Sequence, residues 1–355
     1  MLLDIRPVSD KNYTCLECVY ATFLSWKNSG CNMLFAGSWS FYLEETSDIF
    51  GTRLSSDRAG SWRNQLQDQY MEQYYGVKVV WYDINHFHEL IQIVDANLEA
   101  SLPTCICLDS FWCSWVPSYQ TYDTPHYFLI AGKHEETGNY LCVDPQYPEK
   151  IHELTLHHFE KGFYEEERLK QEYGEVLVDG FGECASFIAS HSGVEKIVIP
   201  ELLEKALQAV LEGSHGKSDF WYMRTFANQL GQLDSMQSEL QKLPDVDHHH
   251  SWIFRRMEHI GWGRLNFSRM LKGLYLKRPS NELMHLIEQF EEASRKWETI
   301  NFMLLKACYL KNASPLLRKI AGNILNTADY EEQIAEEMKS IIGKLKGSDM
   351  DASVK

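Results

Sequence analysis

Near the start of the chain Cys15, Cys18, Val19, Thr22, Phe23 and Trp26 recur at i, i+3, i+4, i+7, i+8 and i+11, the period of an amphipathic helix. That spacing predicts a helix opened by Cys15, with Asn12 and Thr14 as capping residue types ahead of it and Gly30 as its stop. The period then changes. Short β-rich runs at 77–82, 104–108, 127–131 and 139–143, bounded by Gly, Asp and Pro, predict a sheet. From Pro200 onward the pattern is helical. Ile199, Leu202, Leu203, Ala206, Leu207, Val210 and Leu211 form one stripe, with Pro200 early in it and Gly213 behind it, and longer stripes occupy 281–309 and 315–345. The expected fold is α+β: a helix and an antiparallel sheet in residues 1–193, followed by an all-α domain in 194–355. The two part near 190–198, where the turn-forming run Ser190 to Gly193 separates the last strand-like segment from the first long helix.

The length of 355 residues suits two domains. Apolar residues make up 44% and charged residues 24%, which excludes disordered and fibrous classes. No apolar run approaches the roughly 20 residues of a membrane span, and the first residues lack the pattern of a signal peptide, so a cytoplasmic protein with no membrane partner is expected. Nine cysteines, several inside apolar strand-like runs, read as reduced buried thiols rather than a disulfide framework. The one Cys-x-x-Cys, Cys15 with Cys18, has no second pair to complete a zinc site. The three histidines His248, His249 and His250 sit in a loop-like stretch with no complementary ligand spacing. No metal or other cofactor is expected.

Charge is divided unevenly. Residues 1–193 carry 12 basic and 28 acidic residues, which already accounts for the net charge of −16, and 194–355 carry 22 of each. An acidic first half repels nucleic acid and suits a cationic or neutral small substrate. Within the neutral half, residues 255–278 hold seven bases against Glu258, so an acidic partner is expected to dock there, through Arg255, Arg264 and Arg269; a solvated helix face is the alternative.

A cysteine nucleophile needs a stabilised thiolate, and the first turn of a helix offers exposed N–H groups and a positive dipole end. Cys15 occupies such a place, whereas its rival Cys18 lies one turn further in. The run 124–145 reads as two strands joined by a turn centred near Glu135, so that His126 and Asp144, each nine residues from the centre, lie opposite one another on one face. Cysteine at a helix start, then histidine opening a strand, then aspartate closing the next strand, is the order of papain-like cysteine enzymes. The backbone N–H of Cys15 supplies one oxyanion donor; the side chain just upstream is Asn12, where papain-like enzymes usually place glutamine. Taken singly, each residue also has a plain structural reading: a buried thiol, a polar strand end, an Asp-Pro turn.

Several runs together resemble the family of butirosin biosynthesis protein H: Asn12-Tyr-Thr-Cys15, then Cys107-Leu-Asp109-Ser-Phe-Trp-Cys-Ser-Trp-Val-Pro117-Ser-Tyr119, then the His126 strand with Gly132, and Val143-Asp144-Pro145. In the second half the resemblance rests on Tyr222-Met-Arg224-Thr-Phe-Ala227 and on Ile253 through Arg269. It covers nearly the whole chain and implies a papain-like domain followed by a helical one, from bacterial clusters for natural products. The implied activity moves an acyl group from a carrier-protein phosphopantetheine thioester, through an acyl-enzyme on Cys15, onto an amine. Asp109, with Trp112 and Tyr119 among the aromatic residues behind it, is the candidate for binding that amine. A thioesterase or peptidase-type hydrolase with the same triad is the alternative, and a binding protein without catalysis the third.

Overall fold

The computed structural model describes residues 2–44, 50–55, 65–173, 183–190, 194–241 and 251–352. His248 to His250 and residues 191–193 at the expected domain boundary lie outside the described residues. The chain divides into two units, Met1–Cys31 with Ser61–Glu195 and Asn32–Gly60 with Lys196–Lys355. The chain crosses between them after residues 31, 60 and 195, and the third crossing lies two residues beyond the boundary expected from sequence. Residues 32–60, which the sequence reading did not separate from their neighbours, segregate with the helices.

In the first unit α1 (Cys15–Trp26) forms where the sequence predicts it, because Thr14 caps it. Between α1 and the next helix of this unit the chain passes through β1 (Tyr42–Leu43) and β2 (Leu54–Ser55), a short antiparallel pair of the second unit. The first unit resumes with α2 (Gln65–Tyr75), β3 (Val77–Tyr82), α3 (Phe87–Glu99), β4 (Thr104–Asp109), β5 (Pro125–Lys133), β6 (Tyr140–Val143), β7 (His152–Leu154), α4 (Leu156–Tyr173) and β8 (Cys184–Ala189). The six longer strands pair antiparallel in the order β3-β8-β4-β5-β6-β7. One face buries Ile106, Leu108, Phe128 and Ile130 under Phe87, Leu90 and Val94 of α3 and Phe159 and Phe163 of α4. On the other, Phe23 of α1 stacks on Phe187 of β8 at 4.1 Å, and Tyr20 and Trp81 both donate to Asp68 of α2. Alternation along β8 explains this two-sidedness, since Cys184 and Phe187 point to opposite faces.

The second unit is helical, with α5 (Ile199–Glu212), α6 (Asp219–Gly231), α7 (Gln237–Leu240), α8 (Trp252–Lys277), α9 (Asn281–Cys308) and α10 (Ser314–Ala352). α5 buries Leu202, Leu203, Ala206, Leu207 and Val210 as its stripe predicts, although Leu211 is exposed, and Gly213 ends it at φ +52°. Residues 32–60 belong here because their aromatics are core residues of this unit. Trp39 packs on Phe290 at 4.8 Å and on Phe267 at 5.9 Å, and Phe41 stacks on Trp297 at 5.5 Å. Ser38 Oγ donates to the Gly263 carbonyl at 2.9 Å, an approach so close that a Cβ on residue 263 would meet the Ser38 carbonyl oxygen at 2.5 Å. No helix among the described residues is long and apolar enough to cross a membrane.

Candidate active site

Thr14 and Glu17 fix where α1 begins. The Thr14 hydroxyl accepts from the Glu17 N–H at 3.2 Å while the Glu17 carboxylate accepts from the Thr14 N–H at 2.7 Å, a reciprocal capping box that makes Cys15 the first helical residue. Its N–H is one of the orphan donors of a helix start, and its thiol is half-buried. Cys18 lies a turn inside, fully buried, with Sγ 3.8 Å from the Asp10 carbonyl; burial pushes its thiol up to about 12. Cys15 is therefore the better nucleophile by position. All nine cysteines are free thiols, and burial also raises Cys105, Cys107, Cys113 and Cys142 well above their ordinary values.

His126, the second residue of β5, is buried and lies close enough to Cys15 for the thiol to act on its imidazole. Its Nε2 donates to Asp144 Oδ2 at 2.5 Å, which leaves Nδ1 as the ring nitrogen for the thiol. The contact is not the directly opposed pair that hairpin symmetry predicts. Gly132 pairs with Leu141, a bulge follows, and Leu129 pairs with Val143, so the continued ladder puts Asp144 opposite Phe128. The register differs by two residues, an even number. His126 and Asp144 consequently keep a common face and meet diagonally.

Asp144 is held by more than the histidine. Trp115 Nε1 donates to the same Oδ2 at 2.7 Å and the Gln146 N–H to Oδ1 at 3.0 Å. Trp115 in turn stacks on His152 at 4.9 Å, and His152 Nε2 bonds the Tyr147 carbonyl at 2.7 Å. Burial alone would raise the Asp144 carboxyl, but the His126 charge and hydrogen bond, with Trp115 and Gln146, hold it below its ordinary value. Burial likewise acts to lower His126; the Asp144 charge and hydrogen bond, with Cys15 behind them, outweigh it and lift the imidazole to about 10. Such an arrangement keeps an imidazolium beside the thiol, as a thiolate nucleophile requires. Trp115 and Tyr147, whose ring lies 5.8 Å from that of His126, are site residues that sequence reasoning missed. Trp115 carried a signal only as one of several aromatics after Asp109.

Asn12 lies three residues ahead of Cys15, and its backbone N–H and its carboxamide both donate to Asp10 Oδ1, at 2.9 and 3.2 Å. Asp109 is a correction. It is fully buried, closed to a substrate amine, and its Oδ1 accepts from the N–H groups of Phe111 and Thr124 at 3.0 and 3.1 Å, tying together both ends of the segment that carries Trp115. Burial, and then the neighbouring Asp123 carboxyl, hold its carboxyl neutral up to about 8. Trp112 and Tyr119, expected beside an acceptor amine, each pack at 5.8 Å on the ring of His158 at the start of α4.

The Asp109 carboxyl ties stability to pH with a definite sign. A group whose folded pKa lies above its unfolded value near 3.9 binds more protons when folded, so its contribution is complete below about 4 and is lost as pH rises through about 8. Asp109→Asn puts a neutral amide in place of the protonated carboxyl and removes that loss. The expected result is a urea midpoint for the variant that gains on wild type between pH 5 and pH 8; parallel midpoints would show that the carboxyl is not held neutral.

The expected docking arginines fare differently. Arg264 is fully buried and bonded to Glu331 and to the Ser40 carbonyl, so it belongs to the core and cannot meet a partner. This corrects the sequence expectation, which counted charge along α8 without knowing that its Arg264 face is turned inward. Arg269 is half-buried with Nη1 on Asn266 Oδ1 at 2.9 Å, and Arg255 is half-buried. No protein-family model matches this chain, and no curated protein matches it.

Proposed function

We propose that the first unit is a papain-like cysteine acyltransferase domain in which Cys15 is the nucleophile, His126 the acid and base, and Asp144 the carboxylate that aims the imidazole. The observation that carries this reading is a half-buried thiol at the first position of α1, beside a buried histidine whose Nε2 is fixed on Asp144 at 2.5 Å. The Cys15 thiolate attacks the carbonyl of a thioester, the carbon bond to the donor sulfur breaks, and the donor thiol departs with the proton from His126. An amine nitrogen then attacks the acyl-enzyme, His126 takes the amine proton, and cleavage of the carbon bond to Cys15 Sγ releases an amide and restores the thiolate. The Cys15 N–H, unpaired within the helix, faces the developing oxyanion.

The donor in this proposal is an acyl, aminoacyl or peptidyl group on the phosphopantetheine arm of a carrier protein, and the setting is cytoplasmic biosynthesis of a natural product. The acceptor is a cationic amine, drawn to a unit whose 25 acidic and 10 basic residues carry −15 of the net charge of −16. The test is intact mass after exposure to a panel of acyl thioesters, with peptide mapping. An adduct on Cys15 that an added amine discharges as amide is the expected result. Discharge by water alone would replace transfer with hydrolysis, and no adduct with any thioester would leave a protein that binds without catalysing.

A further inference from the structure

Residues 299–328, which contain the end of α9 and the start of α10, hold four bases and no acid, in a chain with 50 acids against 34 bases. Lys306, Lys311, Arg318 and Lys319 are all exposed, and among the described residues none of them enters an ion pair. Several cations elsewhere on this unit do, Lys272 with Glu291, Arg295 with Glu292, and Arg224 with Asp329 and Glu332, whereas the others without a pair among the described residues, such as Lys205, Lys277 and Lys339, are not grouped with two exposed rings in an acid-free stretch. Between these bases stand two large rings. Phe302 on α9 is 64% and Tyr309, the C-cap of that helix, 62% exposed; they are seven residues and thus about 10 Å apart along its axis, with Lys306 on the turn between them. Exposed rings grouped with cations that no neighbour neutralises mark an interaction surface rather than ordinary solvated helix.

The extent of the patch selects the partner. Acidic residues resume on α10 at Asp329, about 15 Å beyond Lys319, and continue with Glu332, Glu336 and Glu337. A nucleic acid or an anionic bilayer extends past such a footprint and would meet these carboxylates within a Debye length or two, whereas a compact partner ends before them. We propose that this corner of the helical unit is the docking surface for the acidic face of a compact protein, whose carboxylates pair with the four cations while its apolar ridge covers Phe302 and Tyr309. The surface replaces the α8 face expected from sequence. It stands apart from the Cys15 chemistry, and only the choice of probe draws on that reading.

The probe is a purified acidic acyl carrier protein bearing its phosphopantetheine arm, titrated calorimetrically into the full chain. Binding that Lys306→Glu with Lys311→Glu weakens by roughly tenfold or more, and Phe302→Ser by about tenfold, is expected. Added salt weakens the wild-type complex more than that of the charge-reversed variant. Lys205→Glu with Lys339→Glu, which changes the net charge equally at exposed sites elsewhere, leaves affinity unchanged. No binding, an equal loss in that control, or preferential binding to phosphatidylglycerol vesicles or single-stranded RNA would overturn the proposal. Labelling of Cys15 by a small thioester proceeds at the wild-type rate in the Lys306→Glu, Lys311→Glu variant, so failure of the docking surface stays distinct from failure of acyl transfer.

Discussion

Cys15→Ala is expected to abolish the acyl-enzyme and to cut turnover by roughly a thousandfold or more, while Cys18→Ala keeps most of it. The asymmetry follows from three residues of chain. Cys15 sits on the capping box with His126 beside it, whereas Cys18 is buried and its thiol is pushed up to about 12. Both variants should stay folded, since the capping pair of Thr14 and Glu17 is untouched. Asp144→Asn probes the same assembly from the other end. With the charge gone, burial pulls His126 down from about 10, so the alkaline limb of the Cys15 alkylation rate against pH moves to lower pH; an unmoved limb would remove Asp144 from the site. The pair also ties stability to pH with opposite signs. The Asp144 contribution is complete above the unfolded carboxylate value near 3.9 and lost as pH falls through its lowered value; that of His126 is complete below about 6.5 and lost as pH rises through about 10.

How much of this was legible depended on whether the signal was local. The start of α1 was, because its cap and the opening of its period lie within a few residues of Cys15; its end was not, since the helix stops at Trp26 with Lys27 as its C-cap and not at Gly30. The approach of His126 to Asp144 was legible through parity: the bulge between Ile130 and Gly132 shifts the ladder, yet the net displacement is two residues and preserves the face. The Trp115 bond to Asp144 was not, since it depends on how the segment after β4 folds back, which Asp109 sets by accepting N–H groups thirteen positions apart in the chain. The same blindness to packing misplaced Arg264. Helical spacing shows which residues of α8 share a stripe with it, but not that the stripe faces Glu331 on α10 and a segment more than 200 residues upstream. Helices α2 to α4 escaped the sequence reading as well: α2 and α4 are polar on average and α3 shows an amphipathic pattern whose apolar side is legible only once the sheet beneath it is known.

Glu331→Ala is expected to destabilise the helical unit by about 3–5 kcal/mol, the range for stranding one partner of a buried ion pair. Both carboxylate oxygens are committed. Oε1 accepts from Trp297 Nε1 at 2.7 Å and Arg264 Nε at 3.0 Å, and Oε2 from Trp39 Nε1 at 2.8 Å and Arg264 Nη2 at 2.9 Å. Arg264 Nη1 carries the network on to the Ser40 carbonyl at 2.5 Å. Truncation leaves a buried guanidinium without its counter-charge and two indole N–H groups without an acceptor. Because an ion pair exchanged as a whole for apolar side chains is often nearly neutral, Glu331→Leu combined with Arg264→Met should recover a large part of the loss, though not all, since the indoles of Trp39 and Trp297 remain orphaned. Guanidinium unfolding of the two single variants and the double variant measures that coupling directly. The loss should also be local. Trp39 and Ser40 anchor residues 32–60 to α8 and α10, so amide exchange in residues 32–43 should quicken before exchange in the sheet of the first unit does. A Glu331→Ala cost below about 1 kcal/mol, or additive single losses with no recovery in the double variant, would mean that aromatic packing and not the carboxylate holds this segment in place.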